Sequence, residues 1–351
     1  TGLGVLQVEP TDHCNLSCRM CAPHAERWEN VHGIPKGYLP LSLYQHIIEG
    51  LAEEDCHFDH LILQWLGDPS LHPDLERMVG LAGKFLSKNL GYLRFDTNGI
   101  LLDPRRMERL VEEKAAELPL LVVFTVDAQS PEVYQQVKGR DMLLKVRRHI
   151  RHLLALRRHS RQLHLQVQFV VQEQNQEELR AFHDYWREAW ACHGRRGGHF
   201  ELLYKRLSVS GGAKGQAQAD LLYERAMEKA GIRPVEEEGF AVRTWERRPW
   251  QTDDAHAGRS ACPGLWLTPV IRQDGSLQMC CADMQGGLRL GSLREQSFRT
   301  LWEGPKALGY RMEQLAGRFS GPCASCGGIN WYDLRPEHIE KTRLQAASSP
   351  T

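Results

Sequence analysis

Short apolar runs alternate with amphipathic stretches from the start of the chain to about residue 205. Runs rich in Val, Leu and Phe predict strands, whereas apolar residues spaced three and four positions apart predict helices. Because predicted helices separate the predicted strands, the order is typical of repeated βα units with a parallel sheet. The predicted strands are Val5–Val8, His60–Trp65, Tyr92–Asp96, Leu120–Val126, Leu163–Val171 and Phe200–Tyr204.

Six βα units are too few to close an eight-stranded barrel. The sequence therefore predicts the α/β class: a partial (β/α)6 TIM-like barrel over residues 1–205, with a cleft along its missing side. In barrels of this kind, chemistry takes place at the carboxyl ends of the strands. The predicted helices lie near Leu41–Glu54, Pro73–Leu86, Pro104–Glu117, Met142–Arg158 and Gln176–Trp190.

The pattern changes after the predicted barrel. Residues 206–257 are polar or small apart from a helical stretch at Leu221–Ala230, and we expect a bridging segment there. Asp-Gly between apolar runs is a strong hairpin signal, so a hairpin is predicted from Leu265–Arg272 and Ser276–Cys281. These features predict a small α+β domain over 258–345, followed by a polar tail at 346–351.

Composition and charge narrow the choice of partners. Lys and Arg together number 44, as do Asp and Glu, so no bulk attraction to nucleic acid or to an anionic membrane is expected. No apolar run approaches the roughly 20 residues that span a bilayer, and the first residues do not resemble a secretion signal. Ten cysteines in such a chain argue against a disulfide framework and favour metal binding in the cytoplasm.

Three of the cysteines follow the first predicted strand with the spacing Cys14-x3-Cys18-x2-Cys21. Three thiolates from one short loop can bind three irons of a cubane cluster, because soft ligands suit iron–sulfur centres. The fourth iron then keeps an open position, which is typical of sites that perform chemistry. A structural zinc site completed by His13 or His24 is the alternative interpretation.

This spacing, in the loop after the first strand of a partial barrel, resembles the signature of radical S-adenosylmethionine enzymes over about residues 5–205. The resemblance implies that the three cysteines hold a [4Fe–4S] cluster whose open iron binds the amino and carboxylate groups of S-adenosylmethionine. It also implies reductive cleavage to a 5′-deoxyadenosyl radical, which removes a hydrogen atom from a substrate. A flavodoxin- or ferredoxin-type protein would supply the electron.

Other segments resemble the same family in order. Leu66–Pro69 is similar to its Gly-Gly-Glu-Pro stretch, but Leu66 replaces the first glycine and Asp68 replaces the glutamate. If the resemblance is set aside, the same residues are typical of ordinary turns, helix caps or side chains packed in the core. The resemblance implies a cofactor site made by Met20, Gly67, Asp68, Pro69, Thr97, Asn98, Asp127, Val171 and Asn175.

A second group of cysteines lies near the end of the chain, with the spacing Cys262-x17-Cys280 and then Cys323-x2-Cys326, and a predicted hairpin between the first two. Its pattern resembles the auxiliary-cluster domain called SPASM, in the shortened form called twitch, which implies one further [4Fe–4S] cluster. A zinc ribbon is the alternative, because such spacing also suits zinc. Cys281 is a spare thiol, so either it or its neighbour can be the ligand. The four predicted ligands are Cys262, Cys280, Cys323 and Cys326.

Aminocyclitol dehydrogenases of the twitch class show a similar layout. This resemblance implies net oxidation of an aminocyclitol or sugar-type molecule, or of a peptide, with the auxiliary cluster accepting an electron. Glu201, Tyr204 and Lys205 end the sixth strand, are expected to face the cleft and are candidate proton acceptors. One alternative is a redox-neutral epimerase in which Cys281 or Cys192 returns a hydrogen atom. Another is a protein without catalytic activity: an iron–sulfur electron carrier or a zinc-stabilised binding module.

Overall fold

The structure, a computed structural model, describes residues 2–21, 35–193, 197–208, 212–245, 260–324, 326, 328 and 332–348. Three predicted features lie wholly or partly outside the described residues. These are His24, residues 209–211 and 246–257 of the bridging segment, and residues 349–351 of the C-terminal tail.

The described strands form one eleven-stranded sheet in the order β11-β10-β9-β1-β2-β3-β4-β5-β6-β8-β7. Neighbours from β1 to β6 are parallel, which confirms the predicted partial barrel. The strands are β1 Leu3–Val8, β2 Phe58–Leu63, β3 Leu90–Thr97, β4 Leu120–Thr125, β5 Leu163–Val171, β6 Phe200–Arg206, β7 Val235–Glu237, β8 Phe240–Thr244, β9 Val270–Ile271, β10 Ser276–Gln278 and β11 Arg289–Ser292.

Helices cover the outer face of the parallel strands, where alternate residues such as Val122, Phe124 and Phe169 are fully buried. No helix within the described ranges is long and apolar enough to cross a membrane. The helices are α1 Leu41–Glu53, α2 Leu75–Leu86, α3 Pro104–Glu113, α4 Pro131–Lys138, α5 Leu143–Arg157, α6 Leu179–Cys192, α7 Gly212–Ala230, α8 Gly264–Leu267, α9 Phe298–Trp302, α10 Pro305–Leu315 and α11 Pro336–Ser348.

The segment expected to bridge the two domains contributes to the barrel sheet. Strand β8 pairs with β6 in parallel, with Phe200 opposite Phe240, and β7 pairs with β8 as a hairpin. Helix α7 begins at Gly212 and not at Leu221, because the Ala- and Gln-rich stretch before Leu221 consists largely of good helix formers. The division of the chain into three units stays a prediction.

The predicted C-terminal hairpin is only half correct. Residues Leu265–Leu267 belong to the short helix α8, and the strand β9 is limited to Val270–Ile271. All four residues of α8 are buried, so their apolar run could not be distinguished from a buried strand. Strand β9 pairs with β1 in parallel, with Ile271 opposite Val8, and this pairing joins the C-terminal part directly to the barrel sheet.

Candidate active site

The first cysteine loop lies at the carboxyl end of β1 and is held by the end of helix α4. The backbone N–H of Ser17 donates to Lys138 O over 3.4 Å, and that of Arg19 donates to Val137 O over 3.1 Å. Gly139, at φ +86°, ends α4, and a Cβ there would lie 2.3 Å from Ser17 Oγ. The glycine thus allows the helix end to approach the loop closely.

The thiols of Cys14, Cys18 and Cys21 are half-buried in this loop. Burial raises the pKa of Cys14 to about 12, and the negative charges of Asp68 and the other two thiols add to the shift. Burial also raises the pKa of Cys18, although Lys138 opposes it. Three desolvated soft donors on one loop fit an iron–sulfur cluster, whose positive irons stabilise thiolates.

The loop after β2 packs directly against the first cysteine loop. A Cβ on Gly67 would lie 2.3 Å from Thr11 O and 2.6 Å from His13 O. The N–H of Asp68 donates to His13 O over 2.9 Å, and Pro69 begins a one-turn 3-10 helix. Only glycine fits at this contact, so the family-like turn positions the cysteine loop.

The buried carboxylate of Asp68 joins the ends of β2 and β3. It accepts hydrogen bonds from Ser70 N at 2.9 Å, Thr97 Oγ1 at 2.9 Å and Asn98 N at 2.7 Å. Asn98 in turn donates to Asn15 Oδ1, between Cys14 and Cys18, over 2.7 Å. The Asp68 side chain therefore holds these loops together, and its oxygens are occupied by protein donors.

The ends of β4 and β5 are joined by Asp127, which is fully buried and has φ +61°. Its carboxylate lies 2.5 Å from Lys138 Nζ and accepts from Val170 N over 2.7 Å. Burial lowers the pKa of Lys138, but the charges of Asp127 and then Cys18 outweigh it and raise that pKa overall. Lys138 was missed from the sequence, because nothing in a helix-end lysine indicates burial beside a distant cysteine loop.

Asn175 is fully buried and completes this network. Its Nδ2 donates to Asp127 O and Val170 O, both over 2.9 Å, and its Oδ1 accepts from Gln172 N over 2.7 Å. Val171 has its side chain in the outer core, so only its backbone is available to the site, whereas Met20 is half-buried beside Cys21. Each predicted cofactor residue thus lies at a strand end or in the cysteine loop.

Polar side chains occupy several inward-facing positions along the strands of the barrel. On β3, Arg94 makes two hydrogen bonds to Asp96, at 2.6 and 2.7 Å. On β6, Glu201 accepts from Gln166 and, over 3.3 Å, from Arg243 Nε. Alternation along β3 was the signal that could have revealed Arg94 and Asp96, because successive inward positions are two residues apart.

Lys205 shares the inward face of β6 with Glu201. Its side chain is exposed, and it makes no hydrogen bond or ion pair with any described residue. Desolvation lowers the pKa of Lys205. The charge of Asp96 opposes this shift, and the charge of Arg94 adds to it. Exposed surface and desolvation occur together when an ammonium group lies in a concave space that water can enter.

The prediction that Tyr204 faces the cleft is wrong. Side chains alternate along a strand, so Tyr204 points opposite to Lys205. It is fully buried against Phe169 and Phe182, and its hydroxyl lies 3.1 Å from His183 Nδ1 on α6. Cys192, the alternative hydrogen donor, is the exposed last residue of α6 on the outside of the barrel.

The C-terminal cysteines also lie near one another. Burial raises the pKa of Cys323 to about 11, with further increases from Cys280, Cys326 and Cys262. Gln314 of α10 holds two of them, because its Nε2 donates to Cys323 Sγ over 3.3 Å and its Oε1 accepts from Cys262 N over 2.8 Å.

These C-terminal thiols fit an iron–sulfur cluster, since cluster sulfurs accept such amide hydrogen bonds. Among the described side chains, no three His, Cys, Asp or Glu form a group that could hold a single metal ion.

Comparison with known proteins agrees with this geometry. Residues 8–185 match the model of the radical SAM superfamily, and residues 262–327 match an iron–sulfur cluster-binding domain. The chain belongs to the radical SAM superfamily and is a radical SAM enzyme with a C-terminal SPASM domain. Its cofactors are therefore [4Fe–4S] clusters and S-adenosylmethionine, which decides against both zinc interpretations and against a protein without catalytic activity.

Individual relatives are distant. The chain is 30% identical over 131 residues to a GTP 3′,8-cyclase of Synechococcus sp. (strain CC9902). The aligned residues are 37% of this chain and 34% of that protein. The anSMEcpe structure with bound AdoMet has a TM-score of 0.60 at 16% identity, covering 98% and 92% of the two chains. SuiB of Streptococcus suis bound to S-adenosylmethionine has a TM-score of 0.56 at 12% identity, covering 88% and 68%. These structures support the fold alone.

Proposed function

We propose that this radical SAM enzyme catalyses net oxidation of a small polar molecule of the aminocyclitol or sugar type, with a peptide as the other substrate class. When bound by Cys14, Cys18 and Cys21, the first cluster would supply the electron that splits S-adenosylmethionine into methionine and a 5′-deoxyadenosyl radical, and an auxiliary cluster on the C-terminal cysteines would take the last substrate electron. The substrate loses one hydrogen atom to form 5′-deoxyadenosine, one proton to a side chain and one electron. The protein positions these groups and excludes water.

The observation that carries the proposal is the Lys205 amine, which pairs with no described residue, inside a polar barrel whose strand ends carry the cysteine loop. Desolvation lowers the pKa of Lys205, so a neutral amine is easier to reach and can accept the proton. Glu201 is a weaker candidate base, because Gln166 and Arg243 already occupy its carboxylate oxygens.

The chemistry of the interior supports a substrate with several hydroxyl or amino groups. Closed barrels are filled by layers of branched apolar side chains. Here Arg94, Asp96 and Gln168 offer both donors and acceptors on inward positions of β3 and β5. We expect a flavodoxin- or ferredoxin-type protein to supply the first electron.

The test uses the anaerobically reconstituted full chain and a panel of aminocyclitols deuterated at their carbinol carbons. We expect deuterium in 5′-deoxyadenosine and a ketone product. The Lys205→Met variant should still form 5′-deoxyadenosine but give at least roughly tenfold less ketone, since general-base catalysis contributes about 100-fold or more. Lys145→Met, on the outer helix α5, is the matched control and should behave as the wild type.

Two outcomes would contradict the proposal. With unlabelled substrate in heavy water, deuterium uptake at the reacting carbon without net loss of hydrogen would indicate epimerisation, for which Cys281 is the candidate hydrogen donor. An unchanged rate of ketone formation in Lys205→Met would exclude Lys205 as the proton acceptor.

A further inference from the structure

Trp65 connects the two cysteine groups. It follows β2, two residues before Gly67, and its side chain is almost entirely buried. Its indole Nε1–H donates to the backbone carbonyl of Cys281 over 3.0 Å, across 216 positions of sequence. One side chain therefore extends from the turn beside the first cysteine loop to the backbone of the C-terminal cysteines.

A buried cation lies over the face of this indole ring. The guanidinium carbon of Arg272 is 5.6 Å from the centroid of the Trp65 ring, and the side chain is 1% exposed. Arg272 Nε has no hydrogen-bond partner among the described residues. A desolvated cation over an aromatic face is favourable, and water screens its charge little because the group is buried.

Glu9 holds this arrangement from the barrel side. It is fully buried at the end of β1, and its Oε1 accepts from Leu66 N over 3.2 Å, one residue from Trp65. Its Oε2 accepts from Gln273 N over 3.4 Å, next to Arg272. The backbones on both sides of the contact are thereby fixed, so the Trp65 indole has a defined position.

We propose that Trp65, together with Arg272, is a positioning residue that raises the reduction potential of the auxiliary cluster from the side of the first cysteine loop. The inference rests on the proposed role of the auxiliary cluster as electron acceptor. Reduction adds negative charge, which the N–H donor at the Cys281 carbonyl and the buried cation over the same indole ring would stabilise. Hydrogen bonding, net charge and exposure are the factors that set iron–sulfur potentials.

The experiment measures a potential and not only activity. All variants are made in a Cys14→Ala/Cys18→Ala/Cys21→Ala background, so that electron paramagnetic resonance detects the auxiliary cluster alone. Trp65→Phe keeps a ring beneath Arg272 and deletes the N–H donor. We expect the reduced-to-oxidised ratio at a fixed applied potential to fall about tenfold, which is about 59 mV for a one-electron couple. Arg272→Met should shift the ratio in the same direction.

Trp266→Phe is the matched control. It also deletes an indole hydrogen bond in the C-terminal part, from Trp266 Nε1 to Thr342 Oγ1 at 2.9 Å, and should leave the potential unchanged. An unchanged potential in Trp65→Phe, or an equal shift in the control, overturns the inference. Loss of auxiliary iron in both Trp65→Phe and Arg272→Met overturns it too, because the pair would then be purely structural.

Iron analysis separates this failure from failure of the proposed function. Two clusters give about eight irons per wild-type chain. A wild-type chain that binds only about four irons, and none in the Cys14→Ala/Cys18→Ala/Cys21→Ala background, has no auxiliary cluster, and the proposed function then fails first.

Discussion

At the scale of single residues, Gly67 shows how one missing side chain shapes the active site. The loop after β2 contacts the backbone before Cys14 so closely that no Cβ fits between them. The sequence motif suggested contact with the cofactor, whereas the structure adds a steric reason for the glycine.

The Gly67→Ala variant should therefore disturb the first cysteine loop. The new Cβ would lie 2.3 Å from Thr11 O, and backbone atoms cannot give way cheaply. We expect loss of about four of roughly eight irons, since one [4Fe–4S] cluster is lost and the other kept. Gly50→Ala on α1, where a Cβ meets nothing within 4 Å, is the control and should keep all its iron. Full iron content in Gly67→Ala would contradict this steric account.

Much of this site could be predicted from the sequence because its residues are close together in the chain. The spacing of Cys14, Cys18 and Cys21 needs no tertiary information. Lys138 and Trp65 were not predicted, because their partners lie in distant segments. Tyr204 was assigned to the cleft face of β6, whereas it lies on the outer face. Several neighbouring residues of β6 are apolar, so its sequence does not reveal which residues face the cleft.

Glu9 gives a pH dependence at the same scale. Burial raises its pKa from 4.5 to about 7, although the charge of Arg272 lowers it. Between these values the folded state binds more protons than the unfolded chain, so the free energy of unfolding falls as pH rises. We expect this group to contribute a decrease of roughly 3 kcal/mol between pH 4.5 and 8.

Denaturant unfolding of wild type and Glu9→Gln at several pH values isolates this contribution, since all other titrating groups cancel in the difference. The stability difference should change steadily in favour of Glu9→Gln as pH rises toward 8. A difference that is independent of pH would show that Glu9 titrates alike in both states.

At the scale of elements, helix α4 is the support of the first cysteine loop. Its last carbonyls accept from the loop, and Lys138 at its end pairs with Asp127 at the end of β4. The helix, the loop and two strand ends thus form one rigid unit beside the thiols.

Removing one partner of this buried pair leaves an uncompensated charge. Asp127→Asn and Lys138→Met should each lower the free energy of unfolding by about 3–5 kcal/mol. The double variant should lose much less than the sum, because neither charge is then left unpaired. Urea unfolding of the four chains measures this coupling. Additive losses would mean that the 2.5 Å contact carries no coupling energy.

Elements with long periodic patterns were predicted best. Strand β5 has the predicted bounds, Leu163–Val171, because nine mostly apolar residues follow one another there. Short elements were predicted worst: α8 was taken for a strand, and β7–β8 were missed within a polar segment. Such elements are stabilised by the sheet they join and not by local preference.

At the scale of the whole molecule, one sheet extends from the C-terminal cysteine part to the far edge of the barrel. Strand β9 covers the edge of β1, which precedes the first cysteine loop, and Trp65 spans the same junction. The two cluster-binding parts are therefore joined by backbone pairing as well as by side chains. This continuity is consistent with the electron transfer from the barrel to the auxiliary cluster that we propose.

The central claim is that the first cysteine loop leaves one iron open to bind and split S-adenosylmethionine. The most direct measurement is 5′-deoxyadenosine formed by anaerobic, reduced enzyme supplied with that compound. Wild type and the control Cys192→Ala should form it equally, whereas Cys18→Ala should form at least roughly 100-fold less, because the cluster loses a ligand. Equally low yields from wild type and Cys18→Ala, with the wild-type cluster shown to be intact, would contradict the account.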